Sequence, residues 1–174
     1  GLGGGAVGTY LPLFAQESLG YHVTTAGFAV AVAGFTAIVF RVAWGHFTEK
    51  SGRFASVLCT MALLAAAAMV VLWISGAGVR WLLWPAALLL GTSNGSWNAA
   101  AMLAVISLTA GRDPGRASGM VMLGFGTGLA LGPPIFGFTV DTSGGYRIGL
   151  TIVLIWFTVA VLITRLWAHA EHRR

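Results

Sequence analysis

Side chains able to do chemistry are few in this sequence, and they gather in three places. The run GTSNGSWN at 91–98 carries Asn94, Trp97 and Asn98 inside an otherwise apolar stretch. Unpaired amides in hydrocarbon cost on the order of several kcal/mol, so they require partners inside a helix bundle or a wet cavity. Two readings fit: the amides and indole contact a solute as donor, acceptor and stacking wall, or they hydrogen-bond between helices and touch no solute. Arg41 is a lone basic residue well inside an apolar segment. Charge at that depth marks either contact with an anionic solute or a snorkelling side chain that pairs near the inner surface. The third place is doubled: GHFTEKSGR at 45–53 and GFTVDTSGGYR at 137–147 each follow a long apolar run.

Enzymatic chemistry finds no footing. The four histidines, His22, His46, His169 and His172, fall in loops, helix ends or the tail, and no Gly-x-Ser-Gly nucleophile accompanies them. Cys59 is the only cysteine, which excludes a disulfide framework or a thiolate metal site. No phosphate-binding loop, metal cluster or base-stacking surface is present, so neither a cofactor nor nucleic acid is expected. No carboxylate lies at the middle of an apolar run, since Glu17 and Asp141 fall near run ends. A proton-carrying residue is therefore not visible in this chain.

The elements that must position these residues follow from composition. Of 174 residues 57% are hydrophobic and 9% charged, 25 are glycine, and the mean hydropathy is +0.83. Such a chain cannot cover itself with polar surface and belongs in a bilayer. Apolar stretches long enough to cross about 30 Å of hydrocarbon recur along it. Polar and Gly/Pro punctuation divides it into six membrane helices near 1–18, 23–47, 54–77, 80–109, 115–140 and 146–168. Thr24 or Thr25 is expected to cap the second, and Asp113 with Pro114 to open the fifth.

An even number of crossings leaves both termini on one side. Lys50, Arg53, Arg112, Arg116, Arg165, Arg173 and Arg174 share that side, and Arg80 and Arg147 take the other. The positive-inside rule then makes the C-terminus cytoplasmic. Trp44 and Trp167, with Trp73, Trp81 and Trp84, fit aromatic belts at the two interfaces.

Sliding the sequence by 92 residues lays Gly27, Gly34 and Gly45 on Gly119, Gly126 and Gly137. Glu49 then meets Asp141, Ser51 meets Ser143 and Gly52 meets Gly144. Helix two thus matches helix five, which run in opposite directions, so two three-helix units of inverted topology are expected, about 1–78 and 80–170. These glycines also suit close helix packing. The same shift starts the partner of helix four about a dozen residues before Gly1, which leads to the expectation that the chain is a fragment of something larger.

GHFTEKSGR with the preceding FRVAWG at 40–45 resembles the loop signature of the major facilitator superfamily: a Gly, three residues, an acid, a basic residue and Gly-Arg. Glu49 replaces the usual Asp, and Phe54 stands where a further basic residue often follows. GRASGMVMLGFGTGLALGPPIFGFTVDTSGGYR at 115–147 is similar to helices eleven and twelve of such transporters, which favours the C-terminal half, helices seven to twelve. The resemblance implies an all-α six-helix half of a twelve-helix permease that carries a small organic solute, anionic if Arg41 meets it, by alternating access. It further implies a plasma membrane setting, the bacterial inner membrane, and an N-terminal six-helix half as partner.

Helices one and four would line the cavity, which makes Tyr10, Asn94, Trp97, Asn98 and Arg41 its candidates. Gly45, Glu49, Lys50, Gly52 and Arg53 would form the gating loop, with the charges paired as a latch or simply solvated. Gly128, Gly132, Pro133, Pro134 and Gly137 would make a small-residue hinge around a Gly-Pro-Pro break. The alternative is a self-standing six-helix structural or channel-type protein that dimerises through its glycine stripes.

Overall fold

The computed structural model describes residues 1–109 and 113–171. Arg112, His172, Arg173 and Arg174 lie outside the described residues. The described residues contain helices and no strand. They are α1 (Leu2–Glu17), α2 (Val23–Ser51), α3 (Phe54–Ser75), a 3-10 turn (Arg80–Leu82), α4 (Leu83–Thr92), α5 (Trp97–Leu108), α6 (Pro114–Ser143) and α7 (Tyr146–Glu171). Four of them, α2, α3, α6 and α7, are long and apolar enough to cross a membrane. Helices suit that solvent because every backbone group finds its partner within the segment.

The doubled sequence at 45–53 and 137–147 is mostly helix rather than loop. α2 continues to Ser51 and α6 to Ser143, and each stops at a left-handed glycine: Gly52 at φ 63° and Gly144 at φ 69°. The Gly52 N–H donates to the Thr48 carbonyl at 3.0 Å, and the Gly144 N–H to the Val140 carbonyl at 2.9 Å. Only glycine enters that conformation freely, so the repeated Ser-Gly is a pair of helix stops at equivalent positions.

Other helix ends differ from expectation. His22, not Thr24 or Thr25, caps α2: its Nδ1 accepts from the Thr24 N–H at 3.4 Å. Asp113 does precede α6 with Pro114 in its first turn, but the carboxylate makes no capping bond. The expected Gly-Pro-Pro break is absent. α6 runs through Pro133 and Pro134 without interruption, whereas the stretch 80–109, expected as one helix, is divided at residues 93–96 between α4 and α5.

α3 packs chiefly on α7, α1 on α6, and α2 on α4. The main core gathers Val7, Leu11, Phe14, Met69, Leu83 and Val153, and a second cluster joins Val57, Met61 and Ala100. The α1–α6 and α2–α4 contacts are built alike. A methyl on Gly91 would strike the Ala33 carbonyl and one on Gly95 the Ala37 side chain; one on Gly1 would strike the Phe125 carbonyl and one on Gly5 that of Leu129. Ala33 and Ala37 move onto Phe125 and Leu129 by the 92-residue shift, while Gly1 and Gly5 reach Gly91 and Gly95 by a shift of 90.

The glycines that first suggested the repeat behave differently. Around Gly27, Gly34, Gly45, Gly119 and Gly126 a methyl would meet nothing within 4 Å, so they bring no two helices of the described chain together. Gly137 does face a neighbour, the Tyr10 hydroxyl. Phe35, Ile38 and Val42 of α2 and Leu123, Leu131 and Phe138 of α6 are exposed on these helices.

Candidate functional site

The site grows from the interruption between α4 and α5. Ser93 and Ser96 turn their hydroxyls back onto their own chain, Ser93 Oγ to the Leu89 carbonyl at 2.5 Å and Ser96 Oγ to the Thr92 carbonyl at 2.6 Å. Such back-bonding competes with the helical ladder, and Gly95 adds backbone freedom. The Gly95 N–H reaches the Leu90 carbonyl at 2.9 Å, one residue beyond the helical partner, and the helix stops.

Carbonyls freed by the break need donors, and α2 supplies two of them. Trp44 Nε1 donates to the Thr92 carbonyl at 2.7 Å. An Arg41 guanidinium nitrogen donates to the Gly95 carbonyl at 3.0 Å. A spacing of three residues puts both side chains on one face of α2. Trp44 therefore does more than anchor the chain at an interface. Arg41 serves a main-chain carbonyl, which is the structural use of an intramembrane charge.

Beside the break opens a cavity of about 570 Å³ between α3, α5, α6 and α7. Asn94 and Trp97 line it together with Met61, Phe125, Phe157 and Trp167. Trp97 and Phe125 lie with ring centroids 4.7 Å apart at 44°. Phe157 reaches Gly3 of α1, and the Asn94 amide lies against Gly4, where a methyl would come within 2.8 Å of Nδ2.

The structure brings two of the five cavity candidates together and disperses three. Tyr10 packs in the core, its ring 4.9 Å from that of Phe136. Asn98 keeps a buried Oδ1 without a hydrogen-bond partner among the described residues, away from the cavity wall. Arg41 is exposed and bonded to the break, and does not line the cavity.

Glu49, Lys50 and Arg53 are exposed, and among the described residues no ion pair joins them, so the expected latch is not closed within this chain. Gly52 terminates α2, and Gly45 faces open space. Gly128 and Gly132 receive the backbone of Gly1 and Leu2 at the start of α1, so their smallness serves close packing. Pro133 and Pro134 follow them inside α6.

Sequence reasoning missed the Trp44 brace and the walls from Met61, Phe125, Phe157 and Trp167. The Arg41–Trp44 spacing carried the first signal, while nothing local marks the second. On the opposite end of the bundle, Arg80 donates to the Gly20 carbonyl at 2.9 Å and covers the Tyr21 ring at 4.9 Å. Arg147 covers Trp73 at 4.8 Å. No group of three metal-ligating side chains occurs among the described residues.

Compared with known protein families, residues 1–174 match the Major Facilitator Superfamily. No curated protein matches the chain.

Proposed function

The chain belongs to the major facilitator superfamily, and from that premise we propose that it carries a small organic solute across a bilayer by alternating access. The coarser part follows from membership: the protein is an integral membrane transporter of a solute rather than an enzyme. The observation that carries the finer reading is the interrupted fourth helix. Its break borders a cavity lined by Asn94 and Trp97, and α2 braces it through Trp44 and Arg41. Irregular backbone at membrane depth is tolerated where protein buries it or where it lines a cavity, and it is a common location for solute binding in transporters.

In this reading the bundle crosses the membrane six times, with α4 and α5 forming one interrupted crossing and α1 a short one. Two inverted three-helix units, about 1–78 and 80–170, are supported by the matched close approaches of Gly91 and Gly95 on α2 and of Gly1 and Gly5 on α6. If the chain crosses six times, Lys50, Arg53, Arg116 and Arg165 fall on one side, and by the positive-inside rule we read the C-terminus as cytoplasmic. The two basic residues of the other side, Arg80 and Arg147, are both committed to aromatic rings.

The open glycines of α2 and α6 support a second six-helix bundle against these faces, as in a twelve-helix permease. Glycine gains nothing by facing lipid, whereas it permits close approach of another helix. A second copy of this chain is the competing occupant.

Alternating access is tested without knowing the solute. In a Cys59→Ser background, Asn94→Cys or Ala104→Cys is labelled with a membrane-impermeant maleimide from each side of sealed vesicles. Labelling from both sides is expected at Asn94; labelling from one side only, under all conditions, would overturn the proposal.

A further inference from the structure

The cavity wall says what kind of molecule it holds. None of its lining side chains is charged, and most of the wall is aliphatic or aromatic. Its two hydroxyls are already committed, Ser93 Oγ to the Leu89 carbonyl at 2.5 Å and Thr164 Oγ1 to the Ala160 carbonyl at 2.7 Å. The amide of Asn94 is half-buried and makes no hydrogen bond among the described residues. Arg41, the charge that suggested an anion, is bonded to the Gly95 carbonyl and is not on the wall.

We propose that this cavity binds an uncharged, largely apolar molecule with an aromatic ring and one polar group, the ring between Trp97, Phe125 and Phe157 and the polar group on Asn94. The inference names the substrate class of the transport reading and rests on it. An ion entering such a wall would shed its hydration with no charged side chain to receive it. An amide offers donors and an acceptor but no charge, so one neutral hydroxyl, carbonyl or amine satisfies it. The volume of about 570 Å³ falls within the usual span for small-molecule sites, roughly 300–1,000 Å³.

The test uses two probes that share one aromatic skeleton. N-phenyl-1-naphthylamine is neutral, and 8-anilinonaphthalene-1-sulfonate adds an anionic group. Each is titrated into the protein in lipid nanodiscs, with the signal of empty nanodiscs subtracted. The neutral probe is expected to show a saturable fluorescence component and the sulfonate to bind at least tenfold more weakly. Ala62→Phe, which places a ring on the cavity wall, is expected to abolish that component. Asn94→Ala, which removes one hydrogen bond, is expected to weaken it about fivefold. Monodisperse elution of both variants confirms that they fold.

Equal or tighter binding of the sulfonate would overturn the proposal. So would the absence of a saturable component, the result if lipid chains own the cavity, or its survival in both variants. Binding is read without a gradient. A protein that binds the neutral probe yet labels from one side only would overturn alternating access and leave this site standing.

Discussion

The indole nitrogen of Trp44 and the carbonyl oxygen of Thr92 are 2.7 Å apart, which ties α2 to the point where the fourth helix stops. Beside that bond the Arg41 guanidinium holds the Gly95 carbonyl. A break in a membrane helix exposes backbone acceptors, and these two side chains return partners to them. The two acceptors flank Asn94, so α2 is tied to the turn that puts Asn94 on the cavity wall.

Trp44→Phe keeps the ring and removes the donor. The Thr92 carbonyl retains the Ser96 hydroxyl, so the loss is that of one bond and not of a wholly stranded acceptor, about 1 kcal/mol. Thermal unfolding in nanodiscs is expected to shift down by a few degrees. An unchanged midpoint would mean that water already serves this carbonyl.

The matched helix contacts yield a contrast between two glycines on neighbouring helices. Gly91→Val places a branched side chain against the Ala33 carbonyl and Thr36, where backbone cannot give way, and is expected to destabilise the bundle by about 1–3 kcal/mol or more. Gly34→Val, with nothing within 4 Å, leaves the fold of this chain intact. Comparable yields of monodisperse protein from both variants would contradict the α2–α4 contact.

Much of the architecture was legible in the sequence, and the exceptions share a cause. Apolar length locates the helices, but it cannot see where a hydroxyl turns back onto its own carbonyl. Helix four was therefore expected to be continuous from 80 to 109 although Ser93, Gly95 and Ser96 interrupt it. Conversely, a tandem proline reads as a break, yet α6 carries Pro133 and Pro134 within one helix. The cavity was half legible for a similar reason. Asn94 and Trp97 stand out because polar atoms are costly in hydrocarbon, whereas Phe125, Phe157 and Trp167 resemble every other apolar residue until four helices converge around the cavity. Small residues at regular spacing mark a face without saying whether a neighbour covers it, which is why Gly34 and Gly91 have opposite surroundings.

The two left-handed stops make a further pair of expectations. Gly52→Ala and Gly144→Ala each force a side chain into positive φ, a cost of about 1 kcal/mol per site. Similar reductions in the unfolding midpoint are expected for the two variants, since both helices end with the same bond to the carbonyl four residues back. A stabilising effect at either position would remove the equivalence between residues 45–53 and 137–147.

Two residues beyond Gly144, the Tyr146 hydroxyl donates to Glu17 Oε2 at 2.6 Å and joins the end of α1 to the start of α7. Its ring also packs edge-on against Phe14 at 5.5 Å. Tyr146→Phe keeps the ring contact and deletes the bond. Because Glu17 is exposed, the expected loss is at the low end for a charged acceptor, roughly 1 kcal/mol. Glu17→Gln retains an acceptor and is expected to lose less; the reverse order in thermal unfolding would place the stabilisation elsewhere on Glu17.

The open glycines permit a separation of folding from transport. Gly45 is in the penultimate turn of α2, at the head of GHFTEKSGR, and a side chain added there meets nothing within 4 Å in this chain. Gly45→Trp is therefore expected to insert, fold and elute like the parent. If a second bundle packs against α2, the same indole occupies the space where the other backbone must approach during the cycle. The two-sided labelling of Asn94→Cys should then collapse to one side while the unfolding midpoint stays within a degree or two. Retained two-sided labelling would mean that no moving contact passes Gly45. A lost fold would mean that a neighbour already fills that space in the resting protein, which makes the α2 face a permanent interface instead of a sliding one.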